Sequence, residues 1–350
     1  MRRTRITALA GGIAVLALAL ALVSGAAAKT TKQAASPMVV CLVTDIGGLN
    51  DHGFNHLAYV GLVAAHKKLH VNTYVLQSKS PNDYIPNFST CVSKYHANLV
   101  IGVGFLMEAN IQTMAKKYPD TKWAGVDMNA KTDFTKGGIT KNFEGLIFAE
   151  NEVGYEAGYI AALMAQNDHS TTVSSVGGIP VPAVVRYIAG YQAGAKKAVP
   201  SITVLNGYSQ DFVAQDKCKN IALDQISKGS DVVFQVAGGC GLGVLDAAKE
   251  KNVWGIGVDA DQAYVNERVL TSAQKKVDVA VYTAIANLQK GKFAAASNLL
   301  FNAANGGVGL GIINKAVPTS IRLKTKAVSL LVAHGVIKPP TACAKPNPNC

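Results

Sequence analysis

The stretch VVCLVTDIGGLNDHGFNHLAYVG, residues 39–61, decides the fold of this chain. It opens with the continuous apolar run Val39–Val43, which is typical of a strand buried on both faces of a parallel sheet. Asp45 follows directly, at the carboxyl end of the strand, where open α/β sheets place groups that contact ligands. The stretch therefore predicts a strand, a turn and a helix, with the turn as a candidate site.

The turn and the helix start concentrate polar groups. Either Asn50 or Asp51 can cap the helix, and Phe54 and Asn55 fall in its first turns. One interpretation is purely structural, with a capped helix and Phe54 in the core. The other is that Asp45, Phe54 and Asn55 converge on a small, polar and planar ligand.

The same alternation of strands and helices recurs in two series along the chain. The further strands are predicted at 71–76, 99–104 and 122–126, and then at 172–178, 202–205, 230–236 and 253–258. The fourth strand of each series ends in Gly-Val-Asp, at Asp127 and at Asp259. This rhythm predicts an α/β protein of two doubly wound parallel-sheet lobes around a ligand cleft.

The first 28 residues have the composition of a cleavable secretion signal. Arginines within the first five residues precede the apolar core Ile13–Val23 and the small-residue site Ala26–Ala28. We therefore expect an exported protein in the periplasm or at the cell surface, cleaved near Lys29. A lipoprotein signal would have a cysteine just after the apolar core, whereas Cys41 lies inside the first predicted strand.

The net charge of +12 comes from lysines and arginines scattered singly or in pairs. Nucleic-acid binding would require them clustered with aromatic residues, so we expect no nucleic-acid partner. A basic surface that faces an anionic membrane or wall fits the pattern better.

Six cysteines in an oxidising compartment indicate disulfides, which could pair in fifteen ways. Position along the chain favours Cys218 with Cys240 and Cys343 with Cys350, which leaves Cys41 with Cys91. The chain contains no paired C-x-x-C and no histidines at ligand spacing, so we expect no metal and no cofactor.

The motifs together resemble the basic membrane protein family, the purine-nucleoside-receptor-like substrate-binding proteins of ABC importers. The likeness runs in order from about residue 38 to 300. It begins with V-T-D-x-G-G-x-x-D-x-x-F-N at 43–55. It continues with G-V-G-F at 102–105, N-E-V-G-Y-x-A-G at 151–158, G-Y-x-x-G at 190–194, G-S-D-V-V-F at 229–234, A-G-G-C-G-x-G at 237–243, G-I-G-V-D-x-D-Q at 255–262 and T-S-x-x-K at 271–275.

The resemblance implies a type I periplasmic-binding-protein fold that closes on its ligand. In characterised relatives the ligand is a purine nucleoside, with its base between two aromatic rings and its ribose held by carboxylates and a lysine. By motif position, Asp45 would bind a polar edge of the ligand and Phe54 would stack on the base. Asp259 and Lys275 would hold the ribose hydroxyls, and Lys275 could instead pair with Asp259.

The second aromatic is placed by a looser alignment. Phe212 is the expected ring, with Tyr208 and Tyr191 as alternatives. The loop that begins at Gly238 could present backbone N–H groups to a ligand, or could be a tight turn fixed by a disulfide. Both can hold at once.

The resemblance also implies lobe boundaries, partners and differences from the family. We expect residues 38–145 with about 268–298 in the first lobe and 146–267 with about 299–335 in the second, followed by an irregular tail at 336–350. The expected partners are a small-molecule ligand, an ABC permease and its ATPase, with the receptor a monomer. The lipid-attachment cysteine is missing, and Asn50, Gly53 and His56 replace common family residues.

The sequence is also compatible with three other functions. A sugar or another small ligand could occupy the same fold, and the scaffold could serve as an adhesin or signalling receptor. A nucleoside hydrolase would use an aspartate-rich motif near Thr44 to bind calcium, but the acid before Thr44 is absent and the adjacent acid pair has become Asn50-Asp51. We therefore expect a binding protein and not an enzyme.

Overall fold

The computed structural model describes residues 37–134 and 141–343. The expected secretion signal, residues 1–28, and Cys350 of the third expected disulfide lie outside the described residues. Within the two described ranges, no helix combines the length and the apolar character needed to span a membrane.

The first lobe is built on a six-stranded parallel sheet in the order β11-β5-β4-β3-β1-β2. Its strands are β1 (Val39–Thr44), β2 (Asn72–Leu76), β3 (Leu99–Val103), β4 (Lys122–Val126), β5 (Phe143–Phe148) and β11 (Ser297–Phe301). The apolar run Val39–Val43 forms most of β1, an interior strand between β2 and β3 that is almost fully buried. A continuous apolar strand is what such a position requires.

The second lobe repeats the plan in the order β12-β10-β9-β8-β6-β7. Its strands are β6 (Thr172–Gly177), β7 (Thr203–Tyr208), β8 (Ser230–Val236), β9 (Trp254–Asp259), β10 (Val269–Lys275) and β12 (Val308–Leu310). All pairs are parallel except β10 with the short edge strand β12. The predicted α/β fold with two doubly wound lobes is confirmed.

Helices connect the strands and cover the sheets. They are α1 (Phe54–Leu69), α2 (Tyr84–Ser93), α3 (Glu108–Lys117), α4 (Glu150–Asn167), α5 (Pro182–Ala198), α6 (Gln215–Ser227), α7 (Leu242–Glu250), α8 (Val277–Gln289) and α9 (Thr319–Ala333). Because each helix from α1 to α8 follows a parallel strand, the carboxyl ends of these strands meet at one edge of each sheet.

The chain crosses between the lobes after β5, β10 and β11. The sequence placed residues 268–298 in the first lobe, but β10 pairs with β9 in the second sheet. The reason is that β10 is buried along almost its whole length and needs a strand on each side. The chain therefore crosses to the first lobe after Lys275, and α8, which follows, packs against α1 there.

Two of the three expected disulfides lie wholly within the described residues, and both form. Cys41 of β1 bonds to Cys91 of α2, and Cys218 of α6 bonds to Cys240 in the helical turn that precedes α7. Each bond therefore ties a helix to an element that leads toward the carboxyl edge of a sheet.

Helices α4 and α5 approach each other closely because glycines occupy both sides of their contact. A Cβ atom at Gly158 would collide with the carbonyl oxygen of Tyr191, and one at Gly194 would collide with that of Tyr155. No side chain can fit between two backbones at this separation. The contact explains the glycines in the 151–158 and 190–194 motifs without any role in binding.

We predict that Gly158→Ala lowers the free energy of unfolding by about 1–3 kcal/mol, because the added methyl group overpacks this contact. Urea denaturation checks the value. Gly309→Ala is the control, since a Cβ there meets no atom within 4 Å. Equal stability of the two variants would contradict the close packing described here.

Candidate functional site

A cleft lies between the carboxyl ends of the two sheets and contains about 630 Å³ of space free of protein atoms, part of it open to solvent. All the residues that the sequence assigned to a ligand line it. They are Asp45, Phe54, Asn55, Phe212, Gly238, Asp259 and Lys275. Residues up to 230 positions apart in the chain are thus brought to one place.

Asp45, Asn55 and Asp51 form a fixed hydrogen-bonded group on the first-lobe side of the cleft. The amide nitrogen Nδ2 of Asn55 donates to Asp45 Oδ1 at 2.8 Å and to Asp51 Oδ2 at 3.2 Å. The Asp51 carboxylate also accepts the backbone N–H groups of Gly53, Asn55 and His56. Asp51, and not Asn50, therefore caps the first turn of α1 and orients Asn55.

The carboxyl group of Asp45 lies in a poorly hydrated position. Burial raises its pKa to about 6, although hydrogen bonds from the Gly47 backbone and from Asn55 favour the charged form. Asp45 Oδ1 accepts both of those bonds, and within the described residues no hydrogen bond is donated to Oδ2. This second oxygen is available to an N–H or O–H donor.

Asp127 and Asp259 occupy equivalent positions at the ends of β4 and β9. Both have left-handed backbone conformations, with φ of 65° and 61°. The hydroxyl of Tyr187 lies 3.3 Å from Asp259 Oδ1 and can donate to it. Burial raises the pKa of Asp259 to about 7, and the partly compensating attraction comes from Lys275. The repeated Gly-Val-Asp motif thus delivers two carboxylates to the cleft.

Lys275 is buried at the centre of a group of charges. Its Nζ lies 2.6 and 2.7 Å from the two oxygens of Asp127 and 2.9 Å from Glu150 Oε1. Glu150 also accepts a 2.6 Å bond from the Arg186 guanidinium. Burial alone would lower the pKa of Lys275, but the attraction of Asp127, Glu150 and Asp259 outweighs it and the pKa is raised. The lysine is therefore charged and is held mainly by Asp127 and Glu150, not by Asp259.

Phe54 and Phe212 line the cleft from opposite lobes, and Phe105 and Tyr187 also belong to the lining. Phe54 begins α1, and its ring lies 5.1 Å from Lys275 Nζ. Phe212 comes from the loop before α6, and its backbone oxygen accepts the N–H of Cys240 at 3.0 Å. The alternatives are not cleft residues, because Tyr191 is buried against Phe234, with ring centroids 5.1 Å apart, and Tyr208 is absent from the lining.

Sequence reasoning did not assign Tyr187 or Glu150 to the site. Tyr187 lies inside α5, where an aromatic residue is ordinarily part of the core. Glu150 begins α4, where an acidic residue is ordinarily a favourable first-turn charge. For Asp127 a signal did exist, since its motif repeats that of Asp259.

The two lobes contact each other beside the cleft. His52 Nδ1 of the first lobe lies 3.1 Å from the hydroxyl of Tyr264 in the second. Gln262 Nε2 donates to the His52 carbonyl at 3.3 Å. The structure is therefore a form in which the lobes meet around the cleft. Within residues 37–134 and 141–343, no group of three or more His, Cys, Asp or Glu side chains could hold a metal ion.

Two α/β lobes that meet around a cleft at their strand ends define a binding protein of the type I periplasmic class. A solved solute-binding protein of an ABC transporter system from Aeropyrum pernix has the same fold, with a TM-score of 0.77 at 22% identity. The match covers 88% of this chain and 95% of that one. At this identity the likeness supports the fold alone.

The family is shown by the sequence. The chain belongs to the PnrA-like ABC transporter substrate-binding proteins, whose family model matches residues 38–332. It is 33% identical to the ABC transporter nucleoside-binding protein BmpA of Lactococcus lactis subsp. cremoris, over 86% of this chain and 91% of that protein. It is 32% identical to an uncharacterized lipoprotein of Pyrococcus abyssi, over 78% of this chain and 70% of that protein. The resemblance found in the motifs is confirmed, and the protein is a solute-binding protein of an ABC transporter.

We predict that Lys275→Met destabilises the protein by about 3–5 kcal/mol, because two buried carboxylates lose their shared cation. Urea denaturation at neutral pH checks this. Lys228→Met is the control, since Lys228 pairs with Asp224 where both side chains are exposed, and little change is expected. A Lys275→Met protein as stable as the control would contradict the ionic arrangement described here.

Proposed function

We propose that this protein is an exported receptor that binds a purine nucleoside between its lobes and presents it to the permease of an ABC importer. The observation that carries the proposal is the composition of the cleft. Aromatic residues from both lobes, Phe54 and Phe212 among them, accompany buried carboxylates and one buried ammonium group. The rings suit a planar base, and the charged groups suit the hydroxyls of a ribose.

The base would lie between Phe54 and Phe212. Neither ring has to be ordered on binding, because Phe54 begins a helix whose first N–H groups bond to Asp51, and Phe212 packs beside Gly178 and Gly238. Stacking on an aromatic ring contributes about 1–3 kcal/mol per base in single-stranded nucleic-acid sites. Asp45 Oδ2 would accept a hydrogen bond from an N–H group at the polar edge of the base.

The ribose would lie near Asp259 and Lys275. An ammonium group has three donors. One of those of Lys275 can be shared by the two oxygens of Asp127 and a second is directed at Glu150, so the third can reach a hydroxyl. Asp259 Oδ2 accepts no hydrogen bond from the described residues and is available to a hydroxyl of the ligand. Hydrogen bonds to charged groups contribute about 1.5–3 kcal/mol each.

The charge in the cleft favours a nucleoside over a nucleotide. Among the described residues that line it, Lys275 is accompanied by the carboxylates of Asp45, Asp51, Asp127 and Asp259. A phosphate group there would face more negative than positive charge. A neutral ligand that is rich in N–H and O–H donors meets no such cost.

The apolar part of the lining favours a ligand with a base over a free sugar. The lining of the cleft also contains four valines and a leucine: Leu106, Val181, Val184, Val236 and Val258. A sugar in the same cleft would leave this surface without an apolar partner. The relative named as a nucleoside-binding protein supports the same choice.

We also propose that the protein acts as a receptor without enzymatic activity. The charged groups of the cleft hold one another in place, as Lys275 does with Asp127 and Glu150. Energy for import would come from the ATPase partner, and closure of the lobes on the ligand would provide the form that the permease recognises.

We predict that ligand-stripped protein binds inosine, guanosine or adenosine in calorimetric titration at pH 8, where Asp259 is ionised. Phe54→Ala should weaken binding by about 5- to 150-fold through loss of the stack. Asp259→Asn should weaken it by about 10-fold or more, since a neutral amide replaces the charged acceptor.

The control is Tyr95→Ala, which removes a surface ring that stacks on Tyr74 away from the cleft and should leave affinity unchanged. Binding of ribose alone, with no effect of Phe54→Ala, would favour the sugar receptor. Absence of binding to all of these compounds would overturn the nucleoside proposal.

A further inference from the structure

Helix α9 has two apolar faces on opposite sides. One face is buried against the second lobe through Ile321, Val328 and Val332. The other carries Leu323 and Leu330, whose residues are 62% and 51% exposed. Leu331, 42% exposed, adjoins this second face. A helix that only covered a domain would be polar on its outer side.

Lysines border the exposed leucines along both edges. At 3.6 residues per turn, Lys324 falls on one side of the line from Leu323 to Leu330, and Lys326 falls on the other. Both lysines are exposed. Their aliphatic stems can lie along the apolar surface while the ammonium groups extend outward.

The sequence around α9 carries positive charge and no side-chain carboxylate. No aspartate or glutamate follows Asp278 anywhere in the sequence. Eight basic residues do follow it: Lys290, Lys292, Lys315, Arg322, Lys324, Lys326, Lys338 and Lys345. All aspartates and glutamates of the chain therefore lie at or before Asp278, and the segment that contains α9 has only basic charged side chains.

An apolar and a basic side chain are also exposed just after the helix. Val336 is 69% exposed, and Lys338, two residues further on, is exposed as well. The chain that follows α9 therefore repeats the combination of an exposed apolar residue and a lysine.

We propose that the outer face of α9, formed by Leu323, Lys324, Lys326, Leu330 and Leu331, docks on an anionic lipid surface. An apolar stripe with a lysine on each side matches a helix that lies in the plane of a membrane interface. The leucines enter the boundary between headgroups and acyl chains, and the lysines meet the lipid phosphates. The positive charge of the lysines favours anionic lipid, because each lysine is attracted to a negatively charged bilayer and strengthens binding to it.

This docking has a functional consequence for a receptor that serves a membrane permease. It restricts the protein to a layer next to the membrane and raises its local concentration there. The interaction uses neither the cleft nor its ligand, so it does not depend on which solute is bound.

Flotation with protein-free vesicles tests the proposal on the chain from residue 29 to 350. We expect binding to vesicles that contain phosphatidylglycerol and little binding to pure phosphatidylcholine. The triple variant L323S/L330S/L331S should lower the partition coefficient at least tenfold. Lys324→Gln and Lys326→Gln should each lower it about fivefold at low salt, because each removes one charge near the surface.

The matched control is Val60→Ser with Lys67→Gln and Lys68→Gln on the exposed side of α1, which should bind vesicles as the unchanged protein does. Circular dichroism and the melting temperature show whether each variant is folded. Equal binding by the triple serine variant and the unchanged protein would overturn the proposal, since it would reduce the contact to nonspecific attraction of charge. Failure to bind anionic vesicles, with retention only on membranes that contain the permease, would also overturn it and would indicate a protein partner.

Discussion

The buried ammonium group of Lys275 is the constraint on which the cleft depends. It is held between Asp127 of the first lobe and Glu150, which begins the first helix of the second lobe. Removing charges from water is costly, and such a group is stable only when the geometry and the hydrogen bonds are good. Arg186, at the more exposed end of the cluster, provides the second bond to Glu150. The position of the cation is therefore set by the protein before any ligand arrives.

The same constraint connects the lobes. Lys275 ends a strand of the second sheet, whereas Asp127 follows a strand of the first. Their ion pair lies where the chain passes from one lobe to the other. Beside the cleft, His52 and Tyr264 make a second, more exposed contact between the lobes. A receptor that opens and closes requires a difference of this kind, because buried ionic contacts resist separation and exposed hydrogen bonds exchange readily with water.

Much of the fold and of the candidate cleft could be predicted from the sequence, for physical reasons that differ between residues. Val39–Val43 could be assigned as a strand because a continuous apolar run is typical of a strand buried on both faces. Asp259 could be assigned to the cleft because the carboxyl ends of parallel strands meet at one edge of the sheet. The strand β10 could not be assigned to its lobe, because the sequence of a short strand of mixed polarity does not indicate which strands it pairs with. Tyr187 and Glu150 were also missed, since an aromatic inside a helix and an acid at a helix start have ordinary structural explanations. Pairing of Lys275 with Asp127 and Glu150 depends on tertiary structure alone.

The most direct test is a crystal structure of the protein that has been stripped of ligand and then supplied with inosine. We predict that the base lies between Phe54 and Phe212, and that the ribose hydroxyls lie within hydrogen-bonding distance of Asp259 and of Lys275 Nζ. Lys275 should keep its contacts to Asp127 and Glu150. A base outside the two rings, or a ribose that makes no contact with Asp259 or Lys275, would show that this cleft is not built for a purine nucleoside.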